Sequence, residues 1–204
     1  MNLKDFLQKK LHEQRDPKKP YPHDYILKYS ILPLIPRWIL PNHFTILRFI
    51  LTPIVFWLLI TQNYTMAIPF FLFTAFTDAI DGSLARVRHQ ITNWGTFYDP
   101  VADKILISGS VLLIVFQHIN PYFALLIILV ELLIVSGAIL RRKQDKRIIS
   151  ANIFGKTKMV LQVAAVTFLL IAIWAGADLF INVSVATFSL AITFAILSLF
   201  SYGL

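Results

Sequence analysis

Residues 66–86 read MAIPFFLFTAFTDAIDGSLAR, an apolar run that ends in a pair of acids. A helix needs about 20 predominantly apolar residues to cross a hydrocarbon core, and this run has that length. Asp78 and Asp81 lie three residues apart, so a helix places both side chains on one face. Charged side chains at membrane depth are costly and are normally kept for function. The segment therefore predicts a membrane helix with a functional acidic face at one end.

A second acidic pair begins the next apolar run, residues 98–116, which read YDPVADKILISGSVLLIVF. Asp99 and Asp103 lie four residues apart and also share a helix face. The short connector Val87–Trp94 makes the two helices antiparallel neighbours, so the four carboxylates can converge. They would repel one another at low dielectric, and a hard cation with oxygen ligands would hold them together. Without histidine or cysteine in the cluster, Mg²⁺ or Mn²⁺ fits best, and two ions are predicted.

The composition agrees with a membrane protein. Hydrophobic residues make up 57% of the 204 positions and charged residues 15%, whereas soluble domains carry about 25% charged residues. The net charge of +8 is therefore better explained by topology and lipid phosphate than by nucleic acid. The chain has no cysteine, which excludes disulfides, and its first 25 residues contain no apolar core of a signal peptide.

The predicted fold is an all-α polytopic membrane protein with six transmembrane helices. Its predicted spans are Phe44–Ile60, Met66–Ala85, Tyr98–Phe116, Tyr122–Leu140, Lys158–Ala175 and Phe180–Phe200. Of the 19 Lys and Arg residues, eight precede the first span, and most others fall after spans two and four. Because positive charge stays on the cytosolic side during insertion, both termini and the acidic face are predicted to be cytosolic.

Residues 1–43 are predicted to form a separate cytosolic membrane-surface segment, ahead of a transmembrane domain at 44–204. Leu3, Phe6, Leu7 and Leu11 recur at helical spacing among lysines, which predicts a short basic amphipathic helix. Further along, Tyr25, Tyr29 and Trp38 supply aromatic rings suited to the headgroup level. A solvated tail is the alternative.

Two residues beside the acids point to a phosphate-bearing ligand. Gly82 removes a side chain next to Asp81, which would let a bulky ligand approach the helix, and Arg86 could pair with phosphate. Two other interpretations stay open. The acids could form an ordinary ion-paired edge, or they could line the path of a small cation transporter.

The whole motif resembles the signature of the CDP-alcohol phosphatidyltransferases. In this chain the motif is Asp78-x-x-Asp81-Gly82-x-x-Ala85-Arg86, which is followed by eight residues and then by Gly95-x-x-x-Asp99-x-x-x-Asp103. The resemblance implies transfer of a phosphatidyl group from a CDP-linked diacyl lipid to an alcohol, with release of CMP. It implies that Asp78, Asp81 and Asp99 bind the metals. Asp103 would be the general base and an additional metal contact. The nucleotide site would comprise Asp78, Asp81, Gly82, Ala85 and Arg86. It also suggests a homodimer.

Three further stretches are similar to the branch of this family that makes phosphatidylglycerophosphate, and to eukaryotic-type cardiolipin synthases. They are Pro41–Arg48, Asp99–Lys104 and Gly155–Gln162. Glycerol 3-phosphate is therefore the expected acceptor, with phosphatidylglycerol or another alcohol as the alternative. The basic residues at cytosolic helix ends would bind its phosphate: Lys104, Lys156, Arg141, Arg142, Arg48 and Lys158.

The chain departs from that branch at two places. Val130 precedes Glu131 where the branch usually has arginine, and about 40 residues precede the Pro41-Asn42 motif. Glu131 itself could be structural, a polar link between helices, or a partner for an arginine.

Overall fold

A computed structural model describes residues 22–88, 90–144 and 153–201. These residues are helical apart from short connections and contain no strand, so the predicted all-α class is confirmed. Seven α-helices follow one another in these described residues, with a 3₁₀ turn at Leu32–Leu34. They are α1 Pro22–Ser30, α2 Pro41–Ile60, α3 Tyr64–Val87, α4 Asn93–His118, α5 Pro121–Gln144, α6 Ile153–Ala175 and α7 Asp178–Ser201. The predicted helix around Leu3–Leu11 lies outside the described residues.

Each predicted span lies within one of the helices α2–α7, which extend past it at one or both ends. Four of them, α2, α3, α6 and α7, are long and apolar enough to cross a membrane. In α5 the apolar stretch within the described residues is Pro121–Gly137. In α4 the charges at its start leave Ile105–His118 as the uncharged part, too short to span by itself. An integral membrane protein is therefore supported, and the count of six crossings stays a prediction.

The helix ends are set by residues that satisfy their first amide groups. Asn63 Oδ1 accepts a hydrogen bond from the amide of Met66 at the start of α3, and Thr92 Oγ1 accepts from the amide of Gly95 at the start of α4. Pro41 begins α2, where the missing N–H costs nothing. These residues mark the starts of the three helices that carry the acidic and basic side chains described below.

The interior of the bundle is formed by apolar side chains from six helices. Val55, Phe71, Val111, Val166 and Phe188 are fully buried in one continuous cluster. The ring of Phe56 on α2 packs directly against Gly109 on α4, where any side chain would collide with it. Many large apolar side chains on the outside of the helices are exposed, as expected for surfaces that face lipid.

The two ends of the bundle differ in their polar contacts. At one end, Trp174 Nε1 donates to Thr65 Oγ1 at 3.0 Å, and Tyr64 Oη lies 3.4 Å from His118 Nε2. The acids lie at the other end, where α3 finishes and α4 begins. The segment before α2 packs there too, through Leu27 and Leu32 against Leu84 of α3.

Candidate active site

Three helices bring their polar residues to the acidic end of the bundle. The last turns of α3 carry Asp78 and Asp81, and the first turns of α4 carry Asp99 and Asp103. The first turns of α2 place Arg48 between them. The convergence of the two acidic pairs, which helical spacing suggested, is thus present in the structure.

Arg48 is the central cation of this cluster. Its Nη2 lies 2.6 Å from Asp81 Oδ2 and 3.3 Å from Asp78 Oδ1, while its Nη1 donates to Asp103 Oδ1. The side chain is fully buried, so the guanidinium is shielded from water and its charge acts at low dielectric. One guanidinium therefore joins carboxylates from two helices and offsets part of their repulsion.

Hydroxyl groups complete the cluster. Thr45 Oγ1 donates to Asp99 Oδ1, and Arg48 Nε donates to Thr77 Oγ1 at 3.3 Å. Sequence reasoning did not identify these two threonines. Thr45 lies three residues before Arg48, a spacing that puts both on one face of α2, and this was the signal available.

The carboxylates differ in exposure. The side chain of Asp81 is 2% exposed and that of Asp103 12%, whereas that of Asp78 is 34% exposed. A ligand that approaches from the aqueous side would therefore meet Asp78 before Asp81. The cluster is open at one side and closed by the helices at the other.

The four acids offer carboxylate oxygens, which are the ligands that a hard divalent cation prefers. The carboxylates of Asp78 and Asp81 both contact Nη2 of Arg48. Their present arrangement is spread around the guanidinium. Within the described ranges no three acids are drawn together into a metal-binding group. The carboxylate oxygens are suitable ligands for a hard divalent ion, but the four side chains would have to move closer together to bind one.

Gly95 lies against the acidic cluster at the start of α4. A Cβ at this position would lie 3.1 Å from Asn42 Oδ1 and from Thr92 Oγ1, and 3.3 Å from Asp99 Oδ2. Asn42 in turn accepts a hydrogen bond from Thr92 Oγ1 at 2.8 Å, which ties α2 to the cap of α4. The signature glycine thus leaves room for this network beside Asp99.

Substitution of Gly95 by alanine should lower the turnover number about 10- to 100-fold, because a small displacement of a reacting group is costly. The added methyl would press on three polar atoms and displace the Asp99 carboxylate. Turnover and the thermal midpoint of the purified protein would be measured. Gly155→Ala is the matched control, since a Cβ there meets Ser198 Oγ at an ordinary 3.6 Å. Equal turnover in both variants would show that the absence of a side chain at Gly95 is not needed to position the Asp99 carboxylate.

The predicted nucleotide residues lie along the end of α3. The space above Gly82 is taken by the guanidinium of Arg86, whose Nη1 would lie 3.1 Å from a Cβ at that position. Arg86 is held by Asp24 of α1, to which its Nε donates at 2.7 Å. Ala85 is half-buried on the same helix. Asp24 was not identified from the sequence, since nothing local connects it with a residue 62 positions away.

The predicted acceptor residues fall into separate groups. Lys158 is buried and donates to Glu131 Oε1 at 2.6 Å, which links α6 to α5. Lys104 is half-buried, and its ammonium interacts electrostatically with Glu131, Lys158 and Asp103. Glu131 thus pairs with a lysine in the described part of the chain, and its Oε2 is buried without a hydrogen bond there.

The other basic residues are distributed differently. Arg48 lies with the aspartates. Lys156 is half-buried near the start of α6. Arg141 and Arg142 belong to α5, but their side chains lie outside the described parts of the structure. Among the predicted acceptor residues whose side chains the structure describes, Lys104 and Lys158 are close enough for their charges to interact.

Comparison with known proteins gives a family match over most of the chain. The model of the CDP-alcohol phosphatidyltransferase family matches residues 38–197. This range contains all four aspartates, Arg48 and the predicted acceptor residues, and it excludes Asp24. The resemblance inferred from the motif is confirmed.

Several individual proteins are similar to this chain, and their names describe enzymes of phospholipid synthesis. A CDP-diacylglycerol–glycerol-3-phosphate 3-phosphatidyltransferase of Escherichia coli K12 is 34% identical over 161 residues, which cover 72% of this chain and 88% of the relative. The protein of that name from Pseudomonas fluorescens is 42% identical over 42% of this chain and 46% of its own length. A probable cardiolipin synthase (CMP-forming) of Drosophila melanogaster is 29% identical over 48% of this chain and 31% of the relative. The chain spans about half the length of the Pseudomonas fluorescens protein and of a Bacillus subtilis protein with the same name.

Proposed function

This chain belongs to the CDP-alcohol phosphatidyltransferase family, and we propose that it transfers a phosphatidyl group from CDP-diacylglycerol to glycerol 3-phosphate and releases CMP. The observation that carries the proposal is the convergence of the signature aspartates at one end of the bundle. Asp78, Asp81 and Asp103 all contact Arg48 there, and Asp99 is held by Thr45. The names of the bacterial relatives support the choice of donor and acceptor.

In the proposed reaction the hydroxyl oxygen of the acceptor attacks the phosphorus that carries the diacylglycerol group. The bond from that phosphorus to the bridging oxygen breaks, and CMP leaves with this oxygen. Asp103 would accept the hydroxyl proton, for which a general base needs hydrogen-bond reach of the acceptor. Its partial exposure, with Lys104 as the next residue, supports this role.

We also propose that the reaction depends on Mg²⁺ or Mn²⁺, with two ions as the preferred number. Asp78, Asp81, Asp99 and Asp103 would hold them, since hard ions prefer carboxylate oxygens. When bound, such ions would neutralise the diphosphate and stabilise the leaving oxygen. The same four side chains would have to come closer together than they are around Arg48.

Lys104→Ala and Lys156→Ala should each raise the KM for glycerol 3-phosphate about tenfold and the KM for the lipid donor less than about twofold. Loss of one charge-assisted contact with a phosphate dianion accounts for the larger effect. Both KM values would be measured by CMP release from purified protein. Lys28→Ala is the control, because this lysine on α1 is exposed, contacts the Tyr29 ring and is not among the predicted acceptor residues. Equal changes in both KM values would show that neither lysine binds the acceptor phosphate.

Transfer to phosphatidylglycerol is the second candidate function. The similarity to a probable cardiolipin synthase favours it. A lipid acceptor needs fewer cationic groups than glycerol 3-phosphate, so the charge of Lys104 beside Asp103 favours the small acceptor. A cation transporter is disfavoured, because a transport path needs access from both faces of the membrane and the four acids lie at one end of the bundle.

The proposal extends to topology and assembly. We propose that residues 1–43 form a membrane-surface segment before a transmembrane domain at 44–204, with the site and both termini cytosolic and with the protein acting as a homodimer. The distribution of Lys and Arg supports the orientation. The exposed rings of Tyr25, Tyr29 and Trp38 support contact of the segment with the headgroup region.

The proposal is tested by CMP release from purified protein in detergent. CDP-diacylglycerol would be supplied with Mg²⁺, Mn²⁺ or a chelator, and glycerol 3-phosphate, phosphatidylglycerol, serine or inositol phosphate would be offered separately. We expect CMP release with glycerol 3-phosphate and with none of the other acceptors, and we expect the chelator to abolish it. Release with another acceptor alone would overturn the choice of acceptor, and no release with any acceptor from folded protein would overturn the activity.

A further inference from the structure

Asp24 on α1 is a fully buried acid that pairs with the signature helix. Its Oδ2 accepts from Arg86 Nε at 2.7 Å, and its Oδ1 accepts from Arg86 Nη2 at 2.8 Å and from Ser83 Oγ at 2.5 Å. Two parallel N–H···O bonds from one guanidinium fix both its position and the direction of its plane. A residue outside the matched family region therefore sets the conformation of a signature arginine.

The surroundings of this pair hold α1 in place. Leu27 and Leu32 pack on Leu84, on the same part of α3. Arg88, two residues after Arg86, donates to the carbonyl oxygen of Ile35 at 2.6 Å and also to those of Pro36 and Ile39. The segment 22–40 is thus attached to the end of α3 by an ion pair, an apolar contact and hydrogen bonds from the Arg88 side chain to backbone carbonyl oxygens.

The guanidinium that Asp24 holds lies over Gly82. Its Nη1 and Nη2 would be 3.1 and 3.3 Å from a Cβ at that position, so it fills the space that the absent side chain leaves. Gly82 directly follows Asp81 of the acidic cluster. An arginine side chain has many rotamers, and the ion pair with Asp24 selects the one in which the guanidinium lies over Gly82.

We propose that Asp24 is a positioning residue for the cytidine-nucleotide site: it holds the Arg86 guanidinium over Gly82, so that this wall of the site is formed before the nucleotide arrives. The inference rests on the proposed function, because that function makes Arg86 a nucleotide-site residue. It assigns the segment before the family domain a part in donor binding. Preorganisation of this kind improves affinity by removing the cost of ordering a side chain on binding.

Binding of cytidine diphosphate to the purified full-length protein in detergent with Mg²⁺ tests this, by titration calorimetry. Asp24→Asn should raise the Kd about tenfold, the lower end of the effect of removing a residue that orients a ligand-binding group. Asp24→Glu keeps a carboxylate and should recover most of the affinity. Asp178→Asn removes the same charge from an exposed position at the start of α7 and should leave the Kd unchanged.

The steady-state constants separate positioning from a general loss of structure. Asp24→Asn should raise the KM for CDP-diacylglycerol and leave the KM for glycerol 3-phosphate within about twofold, whereas a structural defect would change both and lower the thermal midpoint. An unchanged Kd for Asp24→Asn would overturn the proposal. A lowered Kd would also overturn it, because Asp24 would then compete with the phosphate for Arg86.

Failure of the proposed function gives a different pattern. A wild-type protein that binds cytidine diphosphate but releases no CMP with any acceptor would overturn the transferase proposal, while a weakened Kd in Asp24→Asn would still support the role of Asp24. Normal CMP release with no effect of Asp24→Asn on donor binding would overturn the inference alone. Absence of nucleotide binding in the wild type would overturn both.

Discussion

Asparagine in place of Asp103 should lower the rate of CMP release by about a thousandfold or more, within the range that a general base contributes. The amide has nearly the shape of the carboxylate but cannot take the acceptor proton. Its carbonyl oxygen can still accept from Arg48 Nη1, so the protein should remain folded in the membrane. Turnover of purified protein and its thermal midpoint would be measured together.

The same substitution at the other three aspartates tests the site as a whole. Asp78→Asn, Asp81→Asn and Asp99→Asn should each abolish turnover, because each removes a charged ligand for the proposed ions. Asp178→Asn, at the start of α7, is the matched control and should retain full activity. Substantial activity in two or more of the four site variants would remove the assignment of the acidic cluster as the active site.

Methionine in place of Arg48 should destabilise the protein by about 3–5 kcal/mol, the usual cost of removing one partner from a buried ion pair. The variant keeps the volume of the side chain but leaves Asp81 and Asp103 buried without their shared cation. The stability of Arg48→Lys should lie between that of the wild type and that of Arg48→Met. Lysine supplies the positive charge but lacks the forked guanidinium that reaches several carboxylates. Thermal denaturation in detergent, in a chelator and in Mn²⁺, measures both effects.

Mn²⁺ should raise the midpoint of Arg48→Met more than that of the wild type, because a divalent ion would replace the missing positive charge among the carboxylates. Arg37→Met is the control: this arginine is exposed just before α2, and its loss changes the net charge equally. If Arg48→Met were as stable as Arg37→Met, the guanidinium would not be what holds the acidic cluster together.

The helices could be predicted from the sequence, because the apolar run that indicates each helix lies within that helix. Each predicted span lies inside one helix, and the missed residues at the ends belong to polar turns, such as Asn93–Phe97 before Tyr98, which hydropathy does not detect. The pairing of acids on each helix face was predictable for the same reason, since helical geometry relates residues three or four apart.

Contacts between distant residues could not be predicted from spacing. Arg48 was assigned to the acceptor because it is basic and lies at a helix end, yet its partners are acids 30 to 55 positions away in the chain. Its role toward the acceptor remains a prediction. Asp24 was overlooked for a similar reason, because a single acid in a polar segment has no local signal for a buried partner.

The place of Arg48 along the chain has a consequence for the order of synthesis. A ribosome completes α2, with its guanidinium, before α3 with Asp78 and Asp81, and only later α4 with Asp99 and Asp103. Each acidic helix is therefore synthesised after the basic group with which it pairs. The nascent protein carries its own counter-charge, and we therefore expect the acidic cluster to assemble without an ion from the cell.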